Sequence, residues 1–118
     1  MYRLIVSDTV EFPVRFVVRD GTAERTFGFT LRAKRVDSAA MLREMQDSPE
    51  ALDTFLQRPE YGIAMVDWIG QAPLADAEGK PAPAGADALA ALYQVSGLSA
   101  LVLRAYHDAI GAKARAGN

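Results

Sequence analysis

The sequence contains no cysteine, and that absence removes disulfides, thiol nucleophiles and thiolate metal ligands together. It is compatible with a reducing cytosol, and redox chemistry through protein thiols is excluded. There is one histidine, so a Ser/His/Asp triad or a general acid–base role has to run through His107. His107 falls on the polar side of an amphipathic helical pattern with no nucleophile or orienting partner in a recognisable arrangement, and a solvated surface histidine is the better reading. With no cysteine and a single histidine, a metal site is left to carboxylates, whose spacing resembles no Ca²⁺ loop. The nine glycines form neither G-x-G-x-x-G nor G-x-x-x-x-G-K-[ST], which leaves nucleotide binding without support. No cofactor is expected. No charge of one sign dominates: thirteen basic and fifteen acidic side chains give a net charge of −2, so no cationic surface for phosphate backbones is apparent and nucleic acid is not an expected partner. No run approaches the ~20 apolar residues of a membrane helix, and no secretory signal pattern is visible. The expectation is a soluble, unexported, non-enzymatic protein.

What is present is the composition of an ordinary globular domain: 118 residues, 50% apolar and 24% charged, enough to bury a core without crosslinks. Residues 1–118 are read as one domain, with a β part over 1–35 and a helical part over 37–113 that includes a long loop at 71–86. The stretch from Phe12 to Arg19, a turn at Asp20 and Gly21, and the stretch from Arg25 to Arg32 predict a β-hairpin. Val14, Phe16 and Val18 share one face, and Phe27, Phe29 and Leu31 alternate with Thr26, Gly28, Thr30 and Arg32, the period of a half-buried strand. Residues 2–6 suit a further strand, and Pro13, lacking an amide donor, marks a strand start or a sheet edge.

After Val36 the period changes. Asp37 or Ser38 can cap a helix carrying Met41, Leu42 and Met45, and Ser48 followed by Pro49 and Glu50 starts another with Leu52, Phe55 and Leu56 inward. Tyr61, Met65, Trp68 and Ile69 match helical spacing and predict a third over residues 60–69, stopped by Gly70. The prolines, glycines and alanines from Gln71 to Asp87 predict a loop with a tight acidic turn at residues 76–80. Asp87 can cap a short helix with Leu89, Leu92 and Tyr93 inward. Leu98, Leu101, Val102, Ala105, Tyr106, Ala109 and Ile110 form the best helical stripe in the chain, with Ser99, Arg104, His107 and Asp108 opposite. The predicted architecture is α+β, a small N-terminal antiparallel β-sheet of 2–3 strands followed by and packed against 4–5 α-helices.

Met41, Met45 and Met65 share stripes with core residues, although thioethers also suit surfaces that grip varied apolar segments. Trp68 reads first as a core anchor, and Leu103 flanks the last helix's stripe and widens its apolar face. Met41, Met45, Trp68 and Leu103 are the candidate partner-binding residues.

The run from Met65 to Gly70 with Trp68, the acidic loop before Gly79, Lys80 and Pro81, the segment from Leu89 to Tyr93, and the closing segment from Leu103 through Tyr106 to Ala109 occur in an order that resembles phage tail assembly chaperones. Such proteins have similar length, a β-rich N-terminal part, helices, a tryptophan before an acidic-Gly-Pro loop and a closing helix with an aromatic-x-x-Ala pattern. This sequence departs from them where residues 82–86 replace more polar or aromatic positions. The resemblance implies a bacteriophage or prophage protein of the host cytoplasm, absent from the mature virion. Its partners would be the long helical tape-measure protein and the tail tube protein, and it would act by binding alone, with self-association possible. In some such proteins ribosomal frameshifting adds an extended form, which only the nucleotide sequence can show. The alternatives are a structural tail component, such as a tube or connector subunit whose hairpin pairs edge to edge, and an adaptor domain unrelated to phages.

Overall fold

A computed structural model describes residues 2, 5–36, 39, 43 and 56–112. Strands β1 (Thr9–Asp20) and β2 (Ala23–Lys34) form the expected hairpin, in register from Thr9 opposite Lys34 to Asp20 opposite Ala23. The connection is Gly21 and Thr22, with φ +64° at Gly21, the first position of a two-residue loop, where glycine relieves the strain of a positive φ. Just outside the strands, Arg35 N–H donates to the Asp8 carbonyl (2.8 Å). The alternation of an antiparallel ladder then makes the even-numbered residues of β1 the hydrogen-bonded ones and turns the odd-numbered ones to the free edge. Pro13 is odd-numbered, so its missing donor costs the ladder nothing.

Side chains segregate by the same parity. Phe12, Val14 and Phe16 of β1 and Phe29, Leu31 and Ala33 of β2 are buried, while Glu11, Arg15, Val17 and Arg19 face solvent. On that outer face the ion pairs of Arg32 with Glu11 (3.6 Å) and of Arg19 with Glu24 (3.7 Å) are exposed and contribute little. Gly28 lies between Arg15 and Ile69, where an added Cβ would come within 3.3 Å of the Arg15 Cγ, the Ile69 Cβ and the Val14 carbonyl oxygen.

The third strand is not the one the sequence suggested. Ile5 and Val6 lie outside the sheet; its third member is β3 (Ala64–Ile69), antiparallel to β2 in the order β1-β2-β3. A helix was expected over residues 60–69, and its spacing misleads for a specific reason. Met65 pairs with Leu31, Asp67 with Thr30 and Trp68 with Phe29, so the register shifts at Val66. That bulge puts Met65 and Trp68, three residues apart as on a helix, on the same sheet face. Ahead of β3, Pro59–Tyr61 forms a 3-10 turn that ends at Gly62, whose φ is +55°.

Two α-helices stand among the described residues, α1 (Ala86–Leu92) and α2 (Leu98–Ile110), in place of the expected 4–5. The helices expected from Asp37 or Ser38 and from Ser48 fall almost entirely outside the described residues; of the first, Ala39 and Arg43 are described, both helical, with Arg43 Nε donating to the Ala39 carbonyl (3.5 Å). The long loop is present, but α1 begins at Ala86 behind Gly85, and Asp87 sits in its first turn without capping it.

Helix α2 covers the inward face of the sheet. Leu98, Val102, Leu103 and Tyr106 are buried, and the Tyr106 ring lies 6.0 Å from Phe12 and 6.0 Å, edge on, from Tyr61. Its hydroxyl donates to the Lys34 carbonyl at the end of β2. Burial, with a smaller contribution from neighbouring Tyr61, pushes the Tyr106 phenol up to about 12 from 10.0. A raised pKa means the neutral form is favoured in the folded state, so its contribution is intact below pH 10 and is lost as pH rises from 10 towards 12, on the order of 3 kcal/mol in full. Urea unfolding at neutral pH should show Tyr106→Phe to be destabilised by about 1–3 kcal/mol, the cost of stranding a carbonyl. Repeated between pH 9 and 12, the same titration should show wild type losing stability more steeply than Tyr106→Phe; parallel curves would show that this phenol is not the group responsible.

Candidate partner-binding surface

The four residues singled out from the sequence do not form one exposed patch. Trp68 lies on β3, half-buried, with its ring edge on to Phe29 (6.4 Å between centroids) and its indole N–H donating to the Ala82 carbonyl (2.8 Å). Leu103 is 5% exposed: it belongs to the core and does not widen an apolar surface. Met41 and Met45 lie outside the described residues. The helical stripe of α2 is rotated from the expected one, since Ser99 and Leu103 face in while Leu101 is 44% exposed. Both faces of this helix carry leucines, so periodicity alone did not fix its rotation.

Trp68 ties the long loop to the sheet. The loop has its own small ladder: Ala75 bridges Pro81, Asp76 N–H donates to the Lys80 carbonyl (2.8 Å) and Ala82 N–H to the Leu74 carbonyl (3.0 Å). Asp76 Oδ1 accepts from the amides of Glu78 and Lys80, both at 2.9 Å, and Gly79 supplies the φ of +81° that the turn requires. The acidic turn therefore uses its carboxylate to order its own backbone. Among the described residues no group of three or more His, Cys, Asp or Glu side chains could hold a metal ion. His107 sits half-buried on α2, and its carbonyl accepts the Gly111 amide (3.1 Å).

Two apolar depressions stand open among the described residues. One, of about 280 Å³, lies between α1 and β3 and is lined by Leu56, Ile63, Met65, Leu89, Ala90 and Tyr93 among others. Among the described residues, the short α1, seven residues long, leaves this end of the sheet incompletely covered. The other, of about 300 Å³, lies at the hairpin tip, with Phe16, Val18, Phe27, Leu74 and Val95 as its apolar lining and Arg19, Asp20 and Arg25 at its rim. Arg25 lies over the Phe27 ring at 5.1 Å and is paired with Asp20 (3.5 Å) and Gln71 (3.2 Å). Neither depression was legible in the sequence: Leu89 and Tyr93 read simply as core, and Ile63 sits in a segment read as helix. No family model, curated protein or solved structure matches the chain.

Replacing Trp68 with Phe keeps the ring contact with Phe29 and removes the bond to Ala82. Amide exchange should then accelerate at Asp76, Gly79 and Ala82 while the β1 and β2 amides keep their rates; unchanged exchange in the loop would show that the indole does not hold it.

Proposed function

We propose that this chain is a non-catalytic binding protein of the phage tail assembly chaperone kind, which keeps the tape-measure protein soluble in the bacterial cytoplasm until tube subunits assemble around it. The observation that carries the reading is the groove between α1 and β3. Its six named lining residues are apolar or aromatic, with Met65 and Tyr93 at 8% and 5% exposure forming its floor and Ala90 exposed at its margin. A groove of this size takes two or three side chains from one stripe of an amphipathic helix. A long helical protein with bare apolar stripes aggregates unless such stripes are covered. Met65 adds a flexible, polarisable surface that adapts to successive stripes of differing shape. The sequence order described above, from Trp68 through the turn at residues 76–80 to the segment ending at Ala109, supports the same reading. Trp68, read from the sequence as a candidate contact, has a supporting part here: it fixes the loop that leads into α1.

The test is co-expression with a tape-measure protein from the phage or prophage that encodes this chain. The expected result is a soluble complex that co-purifies. Ala90→Glu, which places a charge at the margin of the groove on an exposed helical position, should reduce recovery of the complex at least tenfold while leaving the circular dichroism spectrum and melting temperature of the chain unchanged. An insoluble tape-measure protein beside well-folded wild-type chain, or full recovery with Ala90→Glu, would overturn the reading.

A further inference from the structure

Strand β1 is an outer strand of the sheet, and its free edge meets no other strand among the described residues. The amides and carbonyls on that edge belong to the odd-numbered residues, because the even-numbered ones pair with β2. Pro13 has no N–H to offer, and its ring stands where a facing carbonyl would lie, so a further strand has to stop short of it. Beyond Pro13 the edge offers Arg15, Val17 and Arg19, up to the end of β1 at Asp20 and the turn at Gly21.

The side chains of those three residues lie on the outer face and select the strand that fits. Val17 is 55% exposed and β-branched, a side chain that packs best against a cross-strand neighbour. Arg15 is exposed and takes part in no ion pair among the described residues. Its stem lies across Gly28, where an added Cβ would meet the Arg15 Cγ at 3.3 Å. Arg19 is already compensated by Glu24 on β2 at 3.7 Å. An incoming strand therefore meets one uncompensated charge, positive, two residues from an exposed valine. In the antiparallel sense the residue opposite Val17 is followed two positions later by the residue opposite Arg15, and the residues opposite Phe16 and Val18 turn to the inner face, where apolar side chains continue the buried layer.

A second copy of β1 fits this edge poorly. Two such stretches set antiparallel about Val17 place Arg15 of each directly opposite Arg19 of the other, like charges that repel. Sliding the register towards the start of the strand brings Pro13 into the ladder. The edge is thus guarded against its own kind and open to a strand of opposite charge.

We infer that residues 15–19 of β1 form a strand-addition site for an extended segment of another protein, bound antiparallel, with a β-branched residue opposite Val17 and an acidic residue opposite Arg15. Main-chain hydrogen bonds supply the affinity, and these two positions choose the segment. None of the residues 15, 17 and 19 lines the groove between α1 and β3, and the inference does not depend on the chaperone reading.

The probe is the end-blocked peptide Thr-Val-Thr-Val-Glu, with Thr-Val-Thr-Val-Lys as its counterpart, titrated into the full chain and followed by amide NMR. In the free chain the outward amides of Arg15, Val17 and Arg19 should exchange rapidly, and the glutamate peptide should slow them and bind more tightly than the lysine peptide. Val17→Pro removes an outward amide that, like the position of Pro13, takes no part in the β1–β2 ladder; it should weaken binding about tenfold while the amides shared with β2 stay protected. Arg15→Glu, at an exposed position, should weaken the glutamate peptide about fivefold and make the lysine peptide the better ligand. Outward amides already protected in the free chain, whether by the chain itself or by a second copy, equal affinity of wild type for the two peptides, no binding of either, or undiminished binding by Val17→Pro would overturn the inference.

Discussion

Phe12, Val14 and Phe16 on β1 and Phe29, Leu31 and Ala33 on β2 are each at most 5% exposed, and a three-stranded sheet cannot bury one whole face by itself. Helix α2 covers that face, and most of the remaining structure is arranged around the contact. At about 1.5–3 kcal/mol for each large side chain taken out of water, this cluster is the main favourable term in the folding of the chain. Tyr106 gives the contact its direction: its ring packs among Phe12 and Tyr61 while its hydroxyl reaches the last carbonyl of β2. The helix is thereby fixed relative to the strand end as well as pressed against the face, because a buried phenol has to find a hydrogen-bond partner.

Among the described residues, both depressions lie where α2 does not pack. Helix α2 packs chiefly on β1, and the seven-residue α1 packs on β3. At the hairpin tip, Pro73, Leu74 and Val95 are the described residues from outside the hairpin that line the cleft. The groove beside α1 and the cleft at the hairpin tip lie at different ends of the sheet and share no lining residue. The long loop that leads into α1 is tied to the sheet by the Trp68 indole and ordered at its turn by the Asp76 carboxylate.

Much of the sheet was legible in the sequence, because strict alternation from Phe12 to Arg32 with a glycine turn leaves one face and one register. The third strand was not, because the bulge at Val66 turns a spacing of three into one shared face, and Tyr61, Met65 and Trp68 then imitate a helix. Met65 and Trp68 lie on one face because of pairing with Leu31 and Phe29, and no window within residues 60–69 contains that information. Helix α2 was placed correctly and rotated wrongly: Leu101 and Leu103 are equally apolar, and only the aromatic cluster on β1 decides that Leu103 turns inward. The same fact removes Leu103 from the candidate partner surface. The grooves were illegible in principle, since they are places where covering elements end.

The account rests on sheet and α2 being one cooperative unit, and amide-resolved hydrogen exchange tests this directly. The amides of Phe29 and Leu31, which lie in the sheet, and of Val102 and Tyr106, on the helix, should exchange only by global unfolding, with one common free energy and one common urea dependence. Exchange from α2 through a separate, much lower-energy opening, with the sheet amides still fully protected, would contradict it.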